Sequence, residues 1–144
     1  MTKIEQSSNL KIAVIIVNWN AGIWLERVVA ALFLQSITPV EIIVVDDNSN
    51  DGSITVFHDI KKKYKKFYFY IRKAKKRDLS KSIIFGVQKS KFNKLIIMDG
   101  DLQHNPKYLP ILIKKFNTEK QDVLVAVRNF KKRSGLSFVR FFMS

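Results

Sequence analysis

The chain has 144 residues, a length that suits one domain, and its lack of cysteine excludes disulfides and thiolate metal sites. Its 26 lysines and arginines outnumber its 12 aspartates and glutamates, and the net charge of +14 predicts an anionic partner. Nucleic acid, a phosphate-bearing ligand and an anionic membrane surface all fit that charge. The apolar run from Ile12 to Val17 is too short to span a bilayer, and residues 1–10 form a polar lead-in.

Short apolar segments alternate along the chain with segments of helical periodicity. Apolar residues spaced i, i+3, i+4 and i+7 predict a helix after each of the first four apolar segments. Most of these segments are apolar throughout, as expected of strands covered on both faces of a parallel sheet. The order predicts a doubly wound, mostly parallel α/β sheet with helices on both faces, in a single domain over residues 11–144. The predicted strands are Lys11–Val17, Glu41–Val45, Phe67–Ile71, Lys94–Met98 and Val123–Val127.

Acidic residues cluster directly after two of the predicted strands. Asp46 and Asp47 follow the second strand, and Asp99 and Asp101 follow the fourth. Ligands of such sheets bind outside the carboxyl ends of the strands, so the clustering predicts a binding site there. An Asp-Gly turn alone would explain Gly100 but not the second aspartate, because a hairpin needs another strand directly after the turn.

The pair formed by Asp99 and Asp101 indicates a metal site. Two carboxylates held close together repel each other unless a cation neutralises them. Mg²⁺ or Mn²⁺ fits, because these ions take one or two carboxylates and complete their ligands from water and phosphates. Gln103 offers a further amide oxygen, whereas a lone histidine beside a helix start, such as His104, is more often a capping or packing residue. After the second strand, Asp51 or Ser53 is expected to cap the next helix.

Ten of the basic residues lie between Lys61 and Arg77, here called the basic segment. It is either a solvated helix end and loop or a surface for an anionic membrane. Nucleic-acid binding ranks third, because the sequence contains no known nucleic-acid-recognition motif. Neither G-x-G-x-x-G nor G-x-x-x-x-G-K-[ST] occurs, which argues against a dinucleotide-binding fold and a P-loop ATPase. Phosphates must then be held by the metal and by arginines.

Three stretches together resemble the family 2 glycosyltransferases of the GT-A fold: "IAVIIVNWNAGIWLERVVAALFLQS", "VEIIVVDDNSNDGS" and "LIIMDGDLQHNPKYLP". The last is most similar to the polyprenol-phosphate branch, which includes the dolichol-phosphate mannosyltransferases. D-x-D alone is a weak signal, but D-x-D-L-Q-H-x-P with the second stretch upstream is specific. The resemblance runs from Lys11 to the last residue. It implies metal-dependent, inverting sugar transfer from a UDP- or GDP-sugar to a polyprenyl or dolichyl phosphate.

The resemblance also implies roles for particular residues. The implied metal ligands are Asp99, Asp101 and Gln103. The implied catalytic residues are Asp101, Arg128 and Arg140, and Arg140 with Ser144 would lie near the acceptor phosphate. The implied nucleotide-binding residues are Val17, Asn18, Asn20, Asp46, Asp47 and Arg72, of which Asp46 and Asp47 would contact the uridine or guanosine.

The sequence departs from the polyprenol-phosphate branch at two places. That branch usually reads P-T-Y-N-E after the first strand, whereas this chain reads "VNWNA" with Ala21 in place of the glutamate, which leaves the nucleotide open. Asp78 stands where the family has a glycine before Leu79, and we expect it to disturb that turn.

The acceptor can be a lipid phosphate or a sugar hydroxyl of a cell-surface glycan. A hydroxyl needs a general base, but a polyprenyl phosphate does not, because its oxygen is already anionic. In family members that glycosylate hydroxyls the base lies well beyond D-x-D, and this chain ends 43 residues after Asp101. The acceptor is therefore a lipid phosphate or the base is missing, and a truncated, inactive nucleotide-sugar-binding remnant is the remaining alternative. With the basic segment, the lipid acceptor implies a cytoplasmic protein, peripheral to the cytoplasmic face of an anionic membrane, with no nucleic-acid partner.

The last ten residues, "GLSFVRFFMS", predict the start of an amphipathic helix that carries Phe138, Phe141 and Phe142. Family members normally continue beyond this point. The chain is therefore expected to be truncated, with the C-terminal part of the catalytic domain missing and an exposed aromatic patch at its end.

Overall fold

The computed structural model describes residues 11–119, 122–128 and 136–139, and for residues 127, 128 and 136–139 it describes the backbone alone. Contacts divide the chain after Pro106 into two compact units, 1–106 and 107–144. The sequence-based domain boundaries, with a lead-in over residues 1–10 and one domain over 11–144, stay a prediction.

The first unit is built on a four-stranded parallel sheet in the order β3-β2-β1-β4. Each of these strands lies within one residue of its predicted bounds. In β1 and β2 the reason is that continuous runs of valine and isoleucine mark buried strands clearly. The predicted α/β class with a parallel sheet is confirmed. The strands are β1 (Ile12–Asn18), β2 (Glu41–Asp46), β3 (Phe67–Ile71) and β4 (Lys94–Asp99), and the helices between them are α1 (Gly22–Phe33), α2 (Ser53–Lys63) and α3 (Leu79–Lys89).

Helices cover both faces of this sheet. The chain moves from β1 to β2 to β3 in one direction and then returns across the sheet to β4. Right-handed crossovers therefore place α1 and α2 together on one face and α3 on the other, and α1 packs against α2 while α3 packs against β1 and β2. Every residue of β1 and β2 is buried, whereas the outer strands β3 and β4 are only partly covered.

Gly86 explains how α3 can lie so close to the sheet. A Cβ at this position would stand 2.5 Å from Cγ2 of Ile15 and 3.2 Å from Cγ2 of Val45, both on buried strand residues. The glycine weakens the helix locally, since glycine is a poor helix former. It is nevertheless the residue that lets the helix backbone contact the core side chains directly.

The second unit holds α4 (Leu109–Thr118) and an antiparallel pair of short strands, β5 (Val125–Arg128) and β6 (Leu136–Val139). Pro106 opens a 3₁₀ turn that ends at Tyr108, and α4 begins after it. Pro110 lies in the first turn of α4, where a missing backbone donor is tolerated.

The helix predicted for the C-terminal stretch is wrong over residues 136–139. Leu136 pairs with Arg128 and Val139 with Val125, so this segment is a strand. Its short apolar sequence fits either structure, and pairing with β5 decides between them. Phe141 and Phe142, and the side chain of Phe138, lie outside the described residues, so the predicted aromatic patch stays a prediction.

Candidate functional site

The four parallel strands of the first unit end at one edge, here called the carboxyl edge. At this edge Asn18 pairs in register with Asp46 on one side, and Val17 pairs with Asp99 on the other. The last residues of β1 therefore stand between the two acidic clusters that the sequence places after β2 and β4. The helices α1, α2 and α3 all begin near this edge, because each follows a strand that ends there.

Asn18 lies at the centre of the carboxyl edge and is fully buried. Its Nδ2 donates to Asp46 Oδ2 at 2.7 Å and lies 3.3 Å from Ser49 Oγ, while its backbone oxygen accepts from Asp47 N at 2.8 Å. Its Oδ1 is buried and has no hydrogen-bond partner within the described part of the chain. That oxygen faces Gly100, where a Cβ would stand only 3.0 Å away.

Asp46 is also fully buried, and the protein itself occupies both of its carboxylate oxygens. Oδ1 accepts from the backbone N–H of Ser49 at 2.8 Å, and Oδ2 accepts from Ser49 Oγ at 2.6 Å and from Asn18 Nδ2. The carboxylate thus ties the end of β1 to the loop after β2. Its geometry is that of a residue that positions these loops.

Asp47 and Arg72 form a buried ion pair. Arg72 Nη2 donates to Asp47 Oδ1 at 2.5 Å, and the two side chains are 14% and 6% exposed, respectively. Asp47 Oδ2 accepts from the backbone N–H of Asp78 at 2.8 Å, and Arg72 Nε donates to the buried Ser82 Oγ at 3.0 Å. The pair therefore fastens the loop between β3 and α3, residues 72–78, to the end of β2.

Asp78 does not disturb its turn, contrary to the sequence-based expectation. Its φ is −158°, an extended conformation that needs no glycine. It is the N-cap of α3, where its carboxylate accepts from the backbone N–H of Lys81 at 3.0 Å. That hydrogen bond, helped by the charge of Lys81, lowers the pKa of Asp78 below its ordinary value.

Asp51 joins the starts of α1 and α2. Its Oδ2 accepts from Gly22 N at 2.9 Å, and its Oδ1 accepts from the backbone N–H and hydroxyl of Ser53, the first residue of α2. Burial acts to raise the pKa of Asp51, but these hydrogen bonds outweigh it and lower the pKa below its ordinary value. The N-cap position of α2 is Gly52. Asp51, one residue before it, accepts the hydrogen bond from the first backbone N–H of the helix, as predicted of a capping residue.

A cleft of about 270 Å³ opens where the loops after β1, β2 and β3 meet. Asn20 Nδ2 donates to Asn50 Oδ1, and Asn20 Oδ1 accepts from the backbone N–H of Asn50, both at 3.0 Å. Asn20 and Asn48 both have positive φ, at 49° and 62°. The guanidinium carbon of Arg77 lies 3.8 Å above the ring of Trp19. The cleft is lined by Trp19, Asn20, Asn48, Asn50, Ala74, Lys75 and Arg77.

Sequence reasoning identified only Asn20 among the residues that line this cleft. The sequence held signals for two other lining residues. Asparagine tolerates positive φ better than other residues except glycine, and this could have marked Asn48 as a turn residue. A tryptophan directly after a buried strand lies past the core, and this could have marked Trp19 as exposed at the strand end. Asn18, Asp46, Asp47 and Arg72, also predicted from the sequence to bind the nucleotide, make the contacts described above. The last of the predicted nucleotide-binding residues, Val17, is buried near the end of β1.

The D-G-D stretch leaves the sheet at the end of β4. Asp99 is the last residue of β4, with a side chain that is 46% exposed, and Asp101 Oδ1 accepts from Gln103 N at 2.9 Å. His104 Nδ1 accepts from Asp99 N at 3.2 Å, and the imidazole is exposed. No strand follows Gly100 directly, so the hairpin interpretation of Asp-Gly does not hold.

The D-G-D carboxylates fit a hard divalent cation that needs only one or two protein carboxylates. Among the described residues, no group of three or more histidine, cysteine, aspartate or glutamate side chains could hold a metal ion. Mg²⁺ and Mn²⁺ do not need such a cage, since one or two carboxylates with water and substrate phosphates suffice. Asp99 and Asp101, partly exposed at the carboxyl edge, provide that donor set.

Three predicted residues remain untested by this geometry. Arg128 is the last residue of β5, in the second unit, and only its backbone is described. Arg140 and Ser144 lie outside the described residues.

Within the described part of the chain, no helix is both long enough and apolar enough to cross a membrane.

Comparison with known proteins places this site in context. Residues 13–140 match the sequence model of the family described as glycosyl transferase family 2. The dolichol-phosphate mannosyltransferase of Mycosarcoma maydis is 36% identical over 84 residues, which cover 58% of this chain and 28% of that protein. The dolichol-phosphate mannosyltransferase of Pyrococcus furiosus is 32% identical over 124 residues, which cover 85% of this chain and 34% of that protein.

A solved structure shares the fold. The mannosyltransferase from Pyrobaculum calidifontis, in complex with GDP-Man and Mn²⁺, superposes with a TM-score of 0.64 at 17% identity, over 76% of this chain and 33% of that one. Such a likeness establishes the architecture of the sheet and helices. The chain spans about a third of the length of the two mannosyltransferases it matches in sequence.

Proposed function

Because the chain belongs to glycosyl transferase family 2, we propose that it is the donor-binding part of an inverting, metal-dependent glycosyltransferase. The donor is a UDP- or GDP-sugar, and the acceptor is a polyprenyl or dolichyl phosphate at the cytoplasmic face of an anionic membrane. One observation carries the proposal. A single buried residue, Asn18, touches the Asp46 network on one side and faces the D-G-D stretch on the other, so the nucleotide cleft and the carboxylates adjoin.

The cleft suits a nucleoside. Trp19 and the Arg77 guanidinium over its ring form one wall of the cleft, and the amide of Asn48 and the cation of Lys75 supply donors for the carbonyl oxygens of a base. Asp46 and Asp47 act in this proposal as positioning residues, because their carboxylates are buried and bonded to protein groups. They hold the three loops in place, so they influence nucleotide affinity through loop geometry.

The carboxylates of Asp99 and Asp101, with the amide of Gln103, would hold the divalent cation. When bound, Mg²⁺ or Mn²⁺ neutralises charge that builds on the leaving diphosphate. The Mn²⁺ in the Pyrobaculum mannosyltransferase complex supports this choice of ion.

The transfer itself is a single displacement. An anionic oxygen of the lipid phosphate attacks the anomeric carbon, the bond from that carbon to the diphosphate oxygen breaks, and the configuration inverts. No proton has to leave the nucleophile, so no general base is required. The resemblance assigns charge-assisted hydrogen bonds to phosphate oxygens to Arg128 and Arg140, with Ser144 beside the acceptor phosphate.

A second candidate is donor binding without turnover. The chain spans only about a third of its mannosyltransferase relatives, so this part can hold the nucleotide sugar while lacking groups that the reaction needs. A sugar-hydroxyl acceptor is the alternative to the lipid phosphate, and it would require a general base from elsewhere.

Calorimetric titration with GDP-mannose and with a UDP-sugar, each with and without Mn²⁺, tests donor binding. We expect Mn²⁺-dependent binding that Asp101→Ala weakens by at least about tenfold, because a hard cation loses one of its two carboxylates. Asp59→Ala, which removes an exposed carboxylate on α2, should leave the affinity unchanged. Absence of nucleotide-sugar binding in the unmodified chain would overturn the proposal, and turnover with a polyprenyl phosphate separates an active chain from a binding remnant.

A further inference from the structure

The guanidinium of Arg77 lies against the ring of Trp19 in the wall of the cleft. Its central carbon is 3.8 Å from the ring centroid. A distance this short fits a guanidinium stacked flat on the ring, because an N–H group pointed into the ring would hold that carbon further away. A stacked arginine keeps its N–H donors in its own plane, where they can reach a ligand beside the ring.

Both members of this stack adjoin residues that the fold holds in place. Trp19 directly follows Asn18, which is fully buried. Arg77 directly precedes Asp78, whose backbone N–H donates to Asp47 Oδ2 at 2.8 Å. The stack therefore joins two anchored loops, so the protein has little of its own chain to order when a ligand binds there.

The side chains that line the cleft supply more hydrogen-bond donors than acceptors. None of the lining residues is an acid, and two of them, Lys75 and Arg77, are exposed cations. The Oδ1 atoms of Asn20 and Asn50 each accept a hydrogen bond from the other residue. The amide of Asn48 can both donate and accept. A base in this cleft is therefore recognised mainly through its acceptor atoms.

The acids of the loop after β2 are engaged by the protein itself. Each carboxylate oxygen of Asp46, Asp47 and Asp51 accepts at least one hydrogen bond from a protein group. If these carboxylates bound the N–H groups of a base, they would have to give up contacts that hold the loops. The donors of the cleft wall are the groups that remain available to read a base.

Guanine is the base that fits the paired donors of an arginine. Its O6 and N7 are adjacent acceptors on one edge, and bidentate pairing of arginine with these two atoms is the commonest base-specific contact of proteins with DNA. On the same edge adenine presents one acceptor and one donor. Uracil has its O4 between an N–H group and a C–H group, so it offers only one acceptor at a time to a pair of donors.

We propose that Arg77, stacked on Trp19, selects the guanine base of the donor through O6 and N7, so that the donor is a GDP-sugar. Arg77 is then a specificity-determining residue, and Lys75 adds positive charge beside it. This inference rests on the proposed function, because it takes the cleft as the nucleoside site. It chooses between the two nucleotides that the sequence leaves open.

A series of nucleoside diphosphates, titrated calorimetrically in the presence of Mn²⁺, tests the choice of base. Inosine diphosphate keeps O6 and N7 but lacks the 2-amino group of guanine, and it should bind within about threefold of GDP. The 7-deaza analogue of GDP, which lacks N7, should bind at least about tenfold more weakly than GDP, as should ADP and UDP.

The outcomes of this titration separate the base assignment from the proposed function. If UDP or the 7-deaza analogue binds as tightly as GDP, the base assignment is wrong while nucleotide binding stands. If none of the nucleotides binds, the proposed function fails and the base assignment fails with it.

The ratio of GDP affinity to UDP affinity tests Arg77 itself. Arg77→Lys keeps the charge but removes the paired donors, so we expect the ratio to fall at least about tenfold. Arg27→Lys is the matched control, because the guanidinium of Arg27 also lies over a tryptophan, 4.9 Å from the ring centroid of Trp24, but does not line the cleft. It should leave the ratio unchanged. Equal weakening of GDP and UDP by Arg77→Lys would show a charge effect alone and would overturn the proposal.

A double-mutant cycle tests the role of the stack. Trp19 is 52% exposed, so Trp19→Ala removes the ring without opening the core. We expect this variant to lower the ratio of GDP affinity to UDP affinity, and Arg77→Lys to lower it little further in the same background. Trp24→Ala should leave the ratio unchanged. Independent effects of Trp19→Ala and Arg77→Lys on the ratio would refute the stack as the unit that reads the base.

Discussion

Replacing Arg72 by methionine would leave the Asp47 carboxylate buried with only the backbone N–H of Asp78 as its described hydrogen-bond donor. The Asp47 side chain is 6% exposed, so its carboxylate has little access to water in place of the guanidinium. Removing one partner from a buried ion pair lowers the free energy of unfolding by about 3–5 kcal/mol. The lost hydrogen bond from Arg72 Nε to Ser82 Oγ adds about 1 kcal/mol.

The exposed pair formed by Lys62 and Asp59 provides the matched control. Its atoms are 3.0 Å apart, but its side chains are 78% and 67% exposed. Lys62→Met should therefore change the free energy of unfolding by less than about 1 kcal/mol. Urea unfolding followed by circular dichroism measures both variants against the unmodified chain.

The two possible roles of the ion pair give different results. If Arg72 positions the loop between β3 and α3, as the geometry indicates, Arg72→Met lowers stability and weakens nucleotide-sugar binding, and Arg72→Lys restores only part of each. If Arg72 acts only as a ligand of the nucleotide, binding is lost while stability remains. A loss of unfolding free energy below about 1 kcal/mol for Arg72→Met would refute the positioning role.

Three further substitutions test the packing and the helix starts that position the site. Gly86→Ala forces a methyl group against the buried Ile15, and overpacking of about 1–3 kcal/mol should exceed the gain in helix propensity of about 1 kcal/mol, so the urea midpoint should fall; a higher midpoint would contradict the close packing of α3. Gly52→Ala meets no atom within 4 Å but keeps a φ of +82°, so we expect a loss of about 1 kcal/mol from backbone strain alone. Because the folded-state pKa of Asp51 is lowered, its stabilising effect is full above about pH 4 and is lost as the pH falls through the folded-state pKa. Asp51→Asn should therefore lower the Tm at neutral pH and flatten its decline on acidification, and an unchanged pH profile would refute the assignment.

The sheet could be predicted from the sequence because its central strands are continuous apolar runs. β1 and β2 are buried at every residue, and such segments leave few alternatives. The short apolar stretch at Leu136–Val139 gave a wrong prediction, because four residues fit a helix or a strand equally well until a partner strand is known.

The position of the acidic residues at the carboxyl edge could be predicted from the sequence, but the contacts of each carboxylate could not. The strand-end rule correctly placed Asp46 and Asp99 at one edge of the sheet. The rule says nothing about what each carboxylate contacts. The partners of Asp47 come from residues 72 and 78, which only the folded chain brings to the end of β2.

The basic segment shows a related limit. Continuity in the sequence suggested one surface, but β3 runs through the middle of the segment and carries its two ends to opposite edges of the sheet. A strand of five residues is enough to separate charges that the sequence presents as neighbours.

The strand order also constrains how this chain assembles. β1 emerges first and lies inside the sheet, yet its partner on one side is β4, where Ile12 meets Lys94. Until β4 is available, one side of β1, which is apolar except for Asn18, has its backbone hydrogen-bonding groups unmatched, and this favours pairing with another chain. Early pairing of β1 with β2, and of β2 with β3, can shield only the other side. The long-range closure by β4 is therefore the step that we expect to limit the folding rate, and it also brings the D-G-D carboxylates to Asn18, so the sheet and the site are completed together.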